Sequence, residues 1–434
     1  MSLYTDFINY INKNGGEVYV VGGFIRTIVY NKIHNTNIST KDIDFLVRDV
    51  EEDRLIFLLE MCGKVKKVGS SFGVLILKPF DSEELYEIAL PRKETSLGCE
   101  YRNFDIEIDP NLPIEKELER RDFTINAMCM QVYNMNDVNN LNLDFDLNNV
   151  IDVFNGKYHI ENKICCCVND PYDRFKDDPT RILRAFRIST QLNLEIEENT
   201  LIAIKQHANL LNMLIPKSSV RLYNELFKII KYNSYYNNLE IMHNFNILNV
   251  MGILTNIETL KLIENTNIYV VKVMIILKEC TPSMNFKKWC DIFQISAVDG
   301  ISKDDIILLE TSHDDTIMCL LRDLKTKYNM LCLLKKLNCY SQNPLNLLFH
   351  LIEYLNVIDT INKKLLSDLF DECRAYPFSV ANIKITGHEI KNITGKTGKD
   401  IGTIKDEILN DIFNDVVNND SEVLKEHILK EKFL

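Results

Sequence analysis

The chain has 434 residues, 46% hydrophobic residues and a formal net charge of −12, which is typical of a globular protein of roughly two to four domains. The acidic total argues against a protein coated in nucleic acid, although a local basic cleft can still bind RNA. The 12 cysteines lack metal-site or secretory spacing, and three are consecutive at Cys165, Cys166 and Cys167, so we expect free thiols in a reducing compartment. No apolar run reaches the ~18 residues of a membrane span and no signal-peptide core occurs, which predicts a cytoplasmic protein without membrane contact.

The first third of the chain alternates between strand and helix patterns. Strands are predicted at EVYVV, IDFLV, GVLILK and LYEIALP, and helices over 4–13, 24–33 and 52–62. Two further strands are predicted in TINAMCMQVY and NVIDVF, joined by an Asn-rich insertion, 134–149, that we expect to be a mobile loop. The pattern predicts an α/β front end.

After about Asp170 the strand signal fades. Segments such as RILRAFRISTQL, VRLYNELFKIIK and NMLCLLKKL repeat their apolar residues with a helical period, so most of the remaining chain is predicted to be helical. Proline and glycine turns near Pro377 mark the entry to a last subdomain.

Two aspartates stand two residues apart in TKDIDFLV. Side chains alternate along a strand, so Asp42 and Asp44 are expected to project from one side with Cα atoms about 6–7 Å apart. Two neighbouring acids repel unless a cation neutralises them, and hard oxygen ligands suit Mg²⁺. The pair is a candidate metal site for phosphoryl or nucleotidyl transfer, and the alternative is a solvated acidic strand face.

A glycine pair, Gly22 and Gly23, lies between the apolar VYVV and the helical FIRTIVYNK. Glycine there lets backbone N–H groups approach a phosphate at a helix N-terminus, and Arg26 lies one turn further on as a charged clamp. A third acid, Glu87, occupies the strand LYEIALPR with Arg92 five residues later, and is otherwise an exposed strand acid.

The segment LPIEKELERRDFTINAM is more specific. With GGFIR, DID, EIALPR and FKDDPTRILRAFR it resembles the class II tRNA nucleotidyltransferases and poly(A) polymerases of the polymerase-beta superfamily, and ITGHEIKNITGKTGKDIG resembles the start of their tail. The resemblance implies an α/β nucleotidyltransferase head, a mixed sheet with helices, over 1–155. An all-α neck, body and tail would follow over 156–232, 233–375 and 376–434.

The resemblance also implies roles for individual residues. Asp42 and Asp44 would be the catalytic, metal-binding pair, with Glu87 as a third catalytic carboxylate. The segment ERRDFTINA would line the nucleotide site, and its alternative is a surface charge cluster. The implied nucleotide-binding residues are Gly22, Gly23, Arg26, Arg121, Asp122, Asn126, Asp178, Arg181, Arg184 and Arg187.

The segment KDDPTRILRAFR predicts the start of an amphipathic helix. Asp178 is expected to be the N-cap and Pro179 the first helical residue, with Ile182, Leu183 and Phe186 on the core side. On this interpretation alone, the arginines are simply the solvated face of the helix.

Asp178, Arg181 and Arg184 follow one another at i+3, so they form a slanted row over one face. Cytosine and adenine present an amino group beside an unprotonated ring nitrogen, whereas uracil and guanine present a carbonyl beside a ring N–H. A carboxylate accepting from the amine and a guanidinium donating to the ring nitrogen would select C and A. The resemblance implies this role for the family's EDxxR motif, here DDPTR with Asp177 for the first Glu.

The resemblance implies a CCA-adding tRNA nucleotidyltransferase that uses Mg²⁺ and has tRNA, ATP and CTP as partners. A poly(A) polymerase would share every motif above, although VGSSFGVLIL in place of GRRFxLxHV favours CCA addition. An enzyme that adds only CC or only A is a further alternative. A non-catalytic RNA-binding protein is the alternative from another class.

Two motifs depart from the family pattern. SSVRLYNELFKII keeps Arg221 and Glu225 of ERIxxEL, and we expect these two to brace the helix rather than to catalyse. DVFNGKYHI keeps only Asp152 and Gly156 of the hinge motif DPxGGxxDL. Three tail lysines are candidates for tRNA phosphate contacts or are merely solvated: Lys391, Lys396 and Lys399.

Overall fold

The computed structural model describes residues 6–40, 42–68, 73–96, 104–141, 146–232, 235–253 and 257–278, short stretches between 287 and 305, and residues 324–339, 341, 343–358 and 363–430. The chain forms two compact units, Met1–Met251 and Gly252–Leu434. The first unit carries the main β-sheet, and the described part of the second is helical apart from one two-residue strand pair.

The strands of the first unit, in its described part, are β1 (Glu17–Val21), β2 (Asp44–Arg48), β3 (Gly63–Val68), β4 (Val74–Pro79), β5 (Tyr86–Ala89), β6 (Arg92–Ser96), β7 (Phe104–Ile108), β8 (Met128–Val132), β9 (Ile151–Asp152), β10 (Ile164–Cys165) and β11 (Glu195–Ile196). Seven of them form a mixed sheet in the order β3-β4-β5-β2-β1-β8-β9, in which β2 and β5 are parallel. The strands β6 and β7 form an antiparallel pair, and β10 and β11 a parallel one. The mixed-sheet prediction is confirmed.

The helices of the same part are α1 (Phe7–Lys13), α2 (Gly23–His34), α3 (Glu52–Glu60), α4 (Ile114–Glu119), α5 (Met135–Asn140), α6 (Gly156–Glu161), α7 (Pro171–Asp177), α8 (Thr180–Leu192), α9 (Glu198–His207), α10 (Ile215–Ile230), α11 (Tyr236–Asn244) and α12 (Ile247–Val250). A 3₁₀ turn, Thr124–Asn126, precedes β8. The predicted helical period after Asp170 is therefore confirmed for α7 to α12.

Strand β1 lies inside the sheet because its apolar run EVYVV can be buried on both faces. Val18 and Val20 are fully buried on one face, and Tyr19 and Val21 are buried on the other. This second face packs under α4 in one hydrophobic cluster, whose buried members are Tyr19, Val21, Leu46, Ile114, Leu118, Ala127, Cys129 and Val168.

Helix α8 begins at Thr180, one residue after the predicted start, and Asp178 caps it as predicted. Asp178 is extended, with φ −145° and ψ 96°, and its Oδ1 accepts a hydrogen bond from the backbone N–H of Thr180 at 3.0 Å. Pro179 already has helical angles, φ −61° and ψ −17°. Leu183 and Phe186 are fully buried, so the arginines between them point to the other side.

The Asn-rich insertion is not wholly a loop, which corrects the prediction. Met135–Asn140 is helical because Asn134 and Asp137 form a capping box at its start. At the end of the insertion, the backbone carbonyls of Leu147 and Val150 accept hydrogen bonds from the ammonium of Lys157. Residues 142–145 lie outside the described residues. Local polar bonds thus order a segment that has too few apolar residues to show a helical period.

Seven of the described strands were not predicted: β3, β6, β7, β10, β11 and two short strands of the second unit, Ala297–Val298 and Ile301–Ser302. Strand β3 reads GKVKKV, and its lysines belong to an edge strand, where charged side chains are tolerated and the alternating pattern is weak. Strands β6 and β7 flank residues 97–103, which the structure does not describe. Asp42 also lies two residues before β2 rather than inside a strand.

Eight cysteines are described, and all are free thiols, as predicted for these positions. Burial raises the pKa of Cys62 to about 11 and that of Cys129 to about 12. Both thiols are therefore protonated at neutral pH and act as small apolar groups in the core.

The second unit has, in its described part, the helices α13 (Ile257–Leu262), α14 (Tyr269–Lys278), α15 (Lys327–Leu337), α16 (Pro344–Ile358), α17 (Lys363–Cys373), α18 (Gly387–Thr394), α19 (Lys399–Phe413) and α20 (Ser421–Lys430). The short strands β12 (Ala297–Val298) and β13 (Ile301–Ser302) pair with each other. Helix α18 begins at a capping box between Thr386 and Glu389 and packs against α20. None of the helices described in either unit has the length and apolarity to cross a membrane.

One buried hydrogen bond joins the sheet's first long helix to α8. The hydroxyl of Tyr30, on α2, donates to the backbone carbonyl of Leu192 at 2.9 Å. We expect Tyr30→Phe to lower the free energy of unfolding by about 1–2 kcal/mol, because a buried carbonyl loses its partner. Tyr133→Phe is the control, since that hydroxyl is exposed, and equal urea midpoints for the two variants would contradict the prediction.

Candidate active site

A cleft of about 660 Å³ lies in the first unit and contains every predicted site residue except Glu87. Eight arginines and one lysine line it against five carboxylates, so the cleft is positive within an acidic chain. Its lining residues are Gly22, Gly23, Arg26, Thr27, Ser39, Thr40, Asp42, Asp44, Arg92, Arg120, Arg121, Asp122, Asn126, Asp178, Arg181, Arg184, Arg187, Gln191, Arg221, Glu225, Lys228 and Tyr232.

Three acidic residues lie near the start of β2. Parallel pairing of β2 with β5 places Glu87 directly beside Asp44, and Asp42 lies two residues before it. Burial raises the pKa of Asp44, repulsion from Glu87 and Asp42 raises it further, and the guanidinium of Arg121 opposes the rise. A cation at this point would relieve both the burial penalty and the repulsion.

The donor set at this point fits a divalent metal ion. Asp42 and Asp44 supply oxygen ligands in the same cleft. Ions such as Mg²⁺ often take one or two carboxylates and complete their shell with water and phosphate oxygens. Among the residues that the structure describes, no group of three or more His, Cys, Asp or Glu side chains could hold a metal alone.

Gly22 allows the chain to turn tightly between β1 and α2. Its angles, φ 70° and ψ −130°, lie in a region that side chains disfavour. A Cβ at this position would lie 2.9 Å from Nη1 of Arg121 and 3.7 Å from Oδ2 of Asp44. The absence of a side chain leaves the N-terminus of α2 open to an anion beside the carboxylates.

Arg26 is held one turn into α2. Its Nη1 donates to Oδ1 of Asn126 at 2.6 Å, while its buried Nε has no hydrogen-bond partner. Burial and repulsion from Arg187 lower the pKa of Arg26 to about 10, so the guanidinium stays charged at neutral pH. An anion in the cleft would lessen the cost of burying this charge.

Asp122 connects the sheet to α8. Its Oδ2 accepts from Nε of Arg184 at 2.7 Å, and its Oδ1 accepts from Nδ2 of Asn126 at 2.9 Å. Burial alone would raise the pKa of Asp122, but the Arg184 guanidinium and the Asn126 hydrogen bond lower it more, to well below its usual range. The carboxylate is therefore ionised at neutral pH and orients both partners.

The row predicted on α8 faces the cleft, but its members are bound within the protein. Oδ2 of Asp178 accepts from Nη2 of Arg221 at 3.3 Å. Arg181 donates to the backbone carbonyls of Arg174 and Arg120, each at 3.2 Å. A ligand that replaces these contacts would meet one acceptor and one planar donor side by side.

The bracing expected of Arg221 and Glu225 reaches from α10 to α8. Arg221 contacts Asp178 at the start of α8, and Glu225 accepts a hydrogen bond from Nε of Arg187 further along it. Both residues line the cleft, so they orient the side chains that were predicted to contact a ligand.

Several cleft residues were not predicted: Thr27, Ser39, Thr40, Arg120, Gln191, Lys228 and Tyr232, and no role was predicted for Arg92. A signal existed for α10, because Arg221, Glu225, Lys228 and Tyr232 are spaced four, three and four residues apart along one helical face. Gln191 follows Arg187 at i+4 on α8.

We expect Gly22→Ala to weaken binding of inorganic pyrophosphate about tenfold or more, because the methyl group displaces the Arg121 guanidinium. Titration calorimetry measures the dissociation constant. Gly395→Ala is the matched control, since Gly395 also has φ 70° but an added Cβ meets nothing within 4 Å. Unchanged pyrophosphate affinity in Gly22→Ala would contradict the prediction.

We expect Asp122→Asn to destabilise the protein at pH 7 by about 1–3 kcal/mol, because Arg184 loses its charged partner. The folded-state pKa of Asp122 is below the unfolded value of about 3.9, so this stabilisation is complete above that pH and is lost below it. Urea unfolding of both proteins should show a constant difference from about pH 7 to about pH 4 and a shrinking difference from about pH 4 to about pH 2. A difference that stays constant below about pH 4 would contradict the assignment.

Comparisons with known proteins match two successive regions of the chain. Residues 18–166 match the model of the Poly A polymerase head domain, and residues 193–252 match that of the probable RNA and SrmB-binding site of polymerase A. The CCA-adding enzyme of Streptococcus mutans is 30% identical over 219 residues, which are 50% of this chain and 47% of the relative. The chain thus aligns with about half the length of the curated relatives it matches.

Two solved structures extend the likeness beyond the matched domains. The Bacillus stearothermophilus CCA-adding enzyme in complex with CTP covers 98% of this chain and 95% of its own, with 17% identity and a TM-score of 0.64. The Thermotoga maritima CCA-adding enzyme complexed with tRNA covers 98% and 93%, with 20% identity and a TM-score of 0.63. At such identities the likeness establishes the shared fold. With its head and RNA-binding models matched in order, the chain resembles the class II CCA-adding enzymes and poly(A) polymerases over these regions.

Proposed function

We propose that the protein is a CCA-adding tRNA nucleotidyltransferase, which adds C, C and A to the 3′ end of tRNA from CTP and ATP. The observation that carries this proposal is that a single cleft contains both the acidic pair Asp42 and Asp44 and the row that begins at Asp178. The first set suits transfer of a nucleotide, and the second suits the choice of base. The names of the curated relatives as CCA-adding enzymes support the proposal.

Base selection would depend on Asp178 and Arg181. A carboxylate oxygen of Asp178 accepts from the amino group of cytosine or adenine, and the Arg181 guanidinium donates to the adjacent ring nitrogen. Uracil and guanine would place a carbonyl against the carboxylate and an N–H against the guanidinium. The current partners of these side chains, Arg221 and two backbone carbonyls, would keep them oriented before a base arrives.

Transfer would take place at the start of β2. Asp42 and Asp44 would hold Mg²⁺, with Glu87 as a third catalytic carboxylate, and the bound ion would lower the pKa of the attacking hydroxyl and neutralise charge on the phosphate. The tRNA 3′-hydroxyl attacks the α-phosphorus in line, the bond to the β-phosphate oxygen breaks, and pyrophosphate leaves. The loop at Gly22 and the guanidinium of Arg26 receive the departing charge.

The remaining nucleotide-binding assignments follow from the same cleft. Gly23 would contact the triphosphate with the loop, and Arg121, Asp122, Asn126, Arg184 and Arg187 would line the nucleotide. The division into head, neck, body and tail at residues 155, 232 and 375 is part of the proposal. The helical body and tail would bind the tRNA, and Lys391, Lys396 and Lys399 are candidates for its phosphates. Localisation in the cytoplasm stays a prediction.

The first experiment supplies purified protein and Mg²⁺ with a tRNA that ends before CCA, and with each nucleoside triphosphate singly and together. The proposal expects CC from CTP alone and CCA from CTP with ATP, read by sequencing the 3′ end. Long A-tails would indicate a poly(A) polymerase, and CC or A alone would indicate a partial enzyme. No incorporation with retained RNA binding would indicate a non-catalytic protein.

Two variants separate transfer from base choice. Asp42→Asn should lower all nucleotide incorporation by about 1,000-fold or more, because the proposed metal site loses a charged ligand. Asp178→Asn keeps the helix cap but replaces an acceptor with a donor, and should lower the preference for CTP over UTP by about 10–100-fold.

Asp173→Asn is the control for both variants, since Asp173 is an exposed acid on α7 outside the cleft. An unchanged preference for CTP over UTP in Asp178→Asn would refute the role of Asp178 in base choice. Normal nucleotide transfer in Asp42→Asn would refute the proposed metal site.

A further inference from the structure

Glu117 is a fully buried carboxylate behind the cleft, on α4. Its Oε2 accepts from Nε of Arg120 at 2.8 Å, and its Oε1 accepts from Nη2 of the same guanidinium. The backbone N–H of Arg92 reaches Oε2 at 3.4 Å. Glu117 does not line the cleft, whereas Arg120 and Arg92 do.

The next residue, Arg121, contacts Glu117 less closely than Arg120 does. Nη2 of Arg121 stays 3.8 Å from Oε1 of Glu117, which is an ion pair without a short hydrogen bond. Its Nη1 lies against the Gly22 loop, at 2.9 Å from where a Cβ would be, and its buried Nε has no hydrogen-bond partner. One acid therefore binds Arg120 closely and leaves donors of Arg121 for another partner.

Electrostatics explain why such an acid is needed. Arg120 and Arg121 are consecutive, and both enter a cleft that already carries a surplus of positive charge. Burial lowers the pKa of Arg121, the charge of Glu117 raises it, and repulsion from Arg120 lowers it. Without Glu117, both guanidinium groups would lose the charge that compensates their burial.

We propose that Glu117 is a positioning residue: it binds Arg120 and holds Arg121 beside Gly22 and Asp44, where Arg121 binds the phosphates of an anionic ligand. Glu117 itself touches neither ligand nor metal and acts through Arg121. The identity of the ligand as a nucleoside triphosphate rests on the proposed function, whereas the positioning of Arg121 rests on the contacts above.

The test measures equilibrium binding of CTP and of inorganic pyrophosphate to the full chain by calorimetry, in Mg²⁺ and without tRNA. Glu117→Gln should weaken both at least about tenfold, because the neutral amide no longer compensates the two guanidinium groups. Glu119→Gln is the matched control on the same helix, since Glu119 pairs with Lys116 at the surface, and it should bind as wild type does. Wild-type affinity in Glu117→Gln would overturn the proposal.

A double-mutant cycle distinguishes positioning from a general structural role. If Glu117 acts through Arg121, adding Glu117→Gln to Arg121→Gln should change affinity by less than about twofold. A further loss as large as that in the wild-type background would overturn the proposal. Thermal unfolding of each variant records any change in stability separately from binding.

A second variant covers the case in which Glu117→Gln does not fold. Combining it with Arg120→Gln removes the buried charge together with its partner, which is far less destabilising than removing one. Weak pyrophosphate binding in this double variant supports the proposal, and wild-type binding overturns it. If wild-type protein binds pyrophosphate but neither CTP nor ATP, the proposed function fails while the positioning of Arg121 is still tested on pyrophosphate.

Discussion

The buried carboxylate of Asp122 is the interaction on which the arrangement of the cleft depends. Asp122 lies three residues after the end of α4. Its carboxylate accepts hydrogen bonds from Asn126, in the turn before β8, and from Arg184 on α8. Asn126 in turn binds Arg26 beside the glycine loop. Because these hydrogen-bonded groups are polar and mostly buried, the bonds between them form only when sheet and helix are in place together.

The same cleft concentrates positive charge in a chain whose total charge is negative. Two of its guanidinium groups are compensated by acids: Arg120 pairs with Glu117 three residues earlier, and Arg187 pairs with Glu225 on α10. The uncompensated donors, on Arg26 and Arg121, lie where a phosphate would meet the carboxylates of β2. The donors without a hydrogen-bond partner therefore lie at the position where the proposed chemistry requires them.

Prediction from sequence succeeded where the signal was local. The apolar run of β1 and the capping of α8 by Asp178 were predicted correctly, because each depends on residues close together in the chain, whereas of Asp42 and Asp44 only Asp44 lies in the predicted strand. It failed for the edge strand β3, whose lysines hide its alternation, and for α5, which a capping box stabilises without an apolar face. It also missed Glu117, since a carboxylate in a helix normally lies in solvent.

The sequence by itself determined the resemblance to a known family, the mixed-sheet head followed by helices, and 12 of the residues that line the cleft. Motif order and hydrophobic period carry this information because both are properties of short segments. Only the tertiary structure decided which arginine binds which acid. Arg184 pairs with Asp122 across 62 residues and Arg187 with Glu225 across 38, so the partners are distant in the chain and adjacent only after folding. Charge pairing at such separations depends on burial and geometry, which no local pattern encodes.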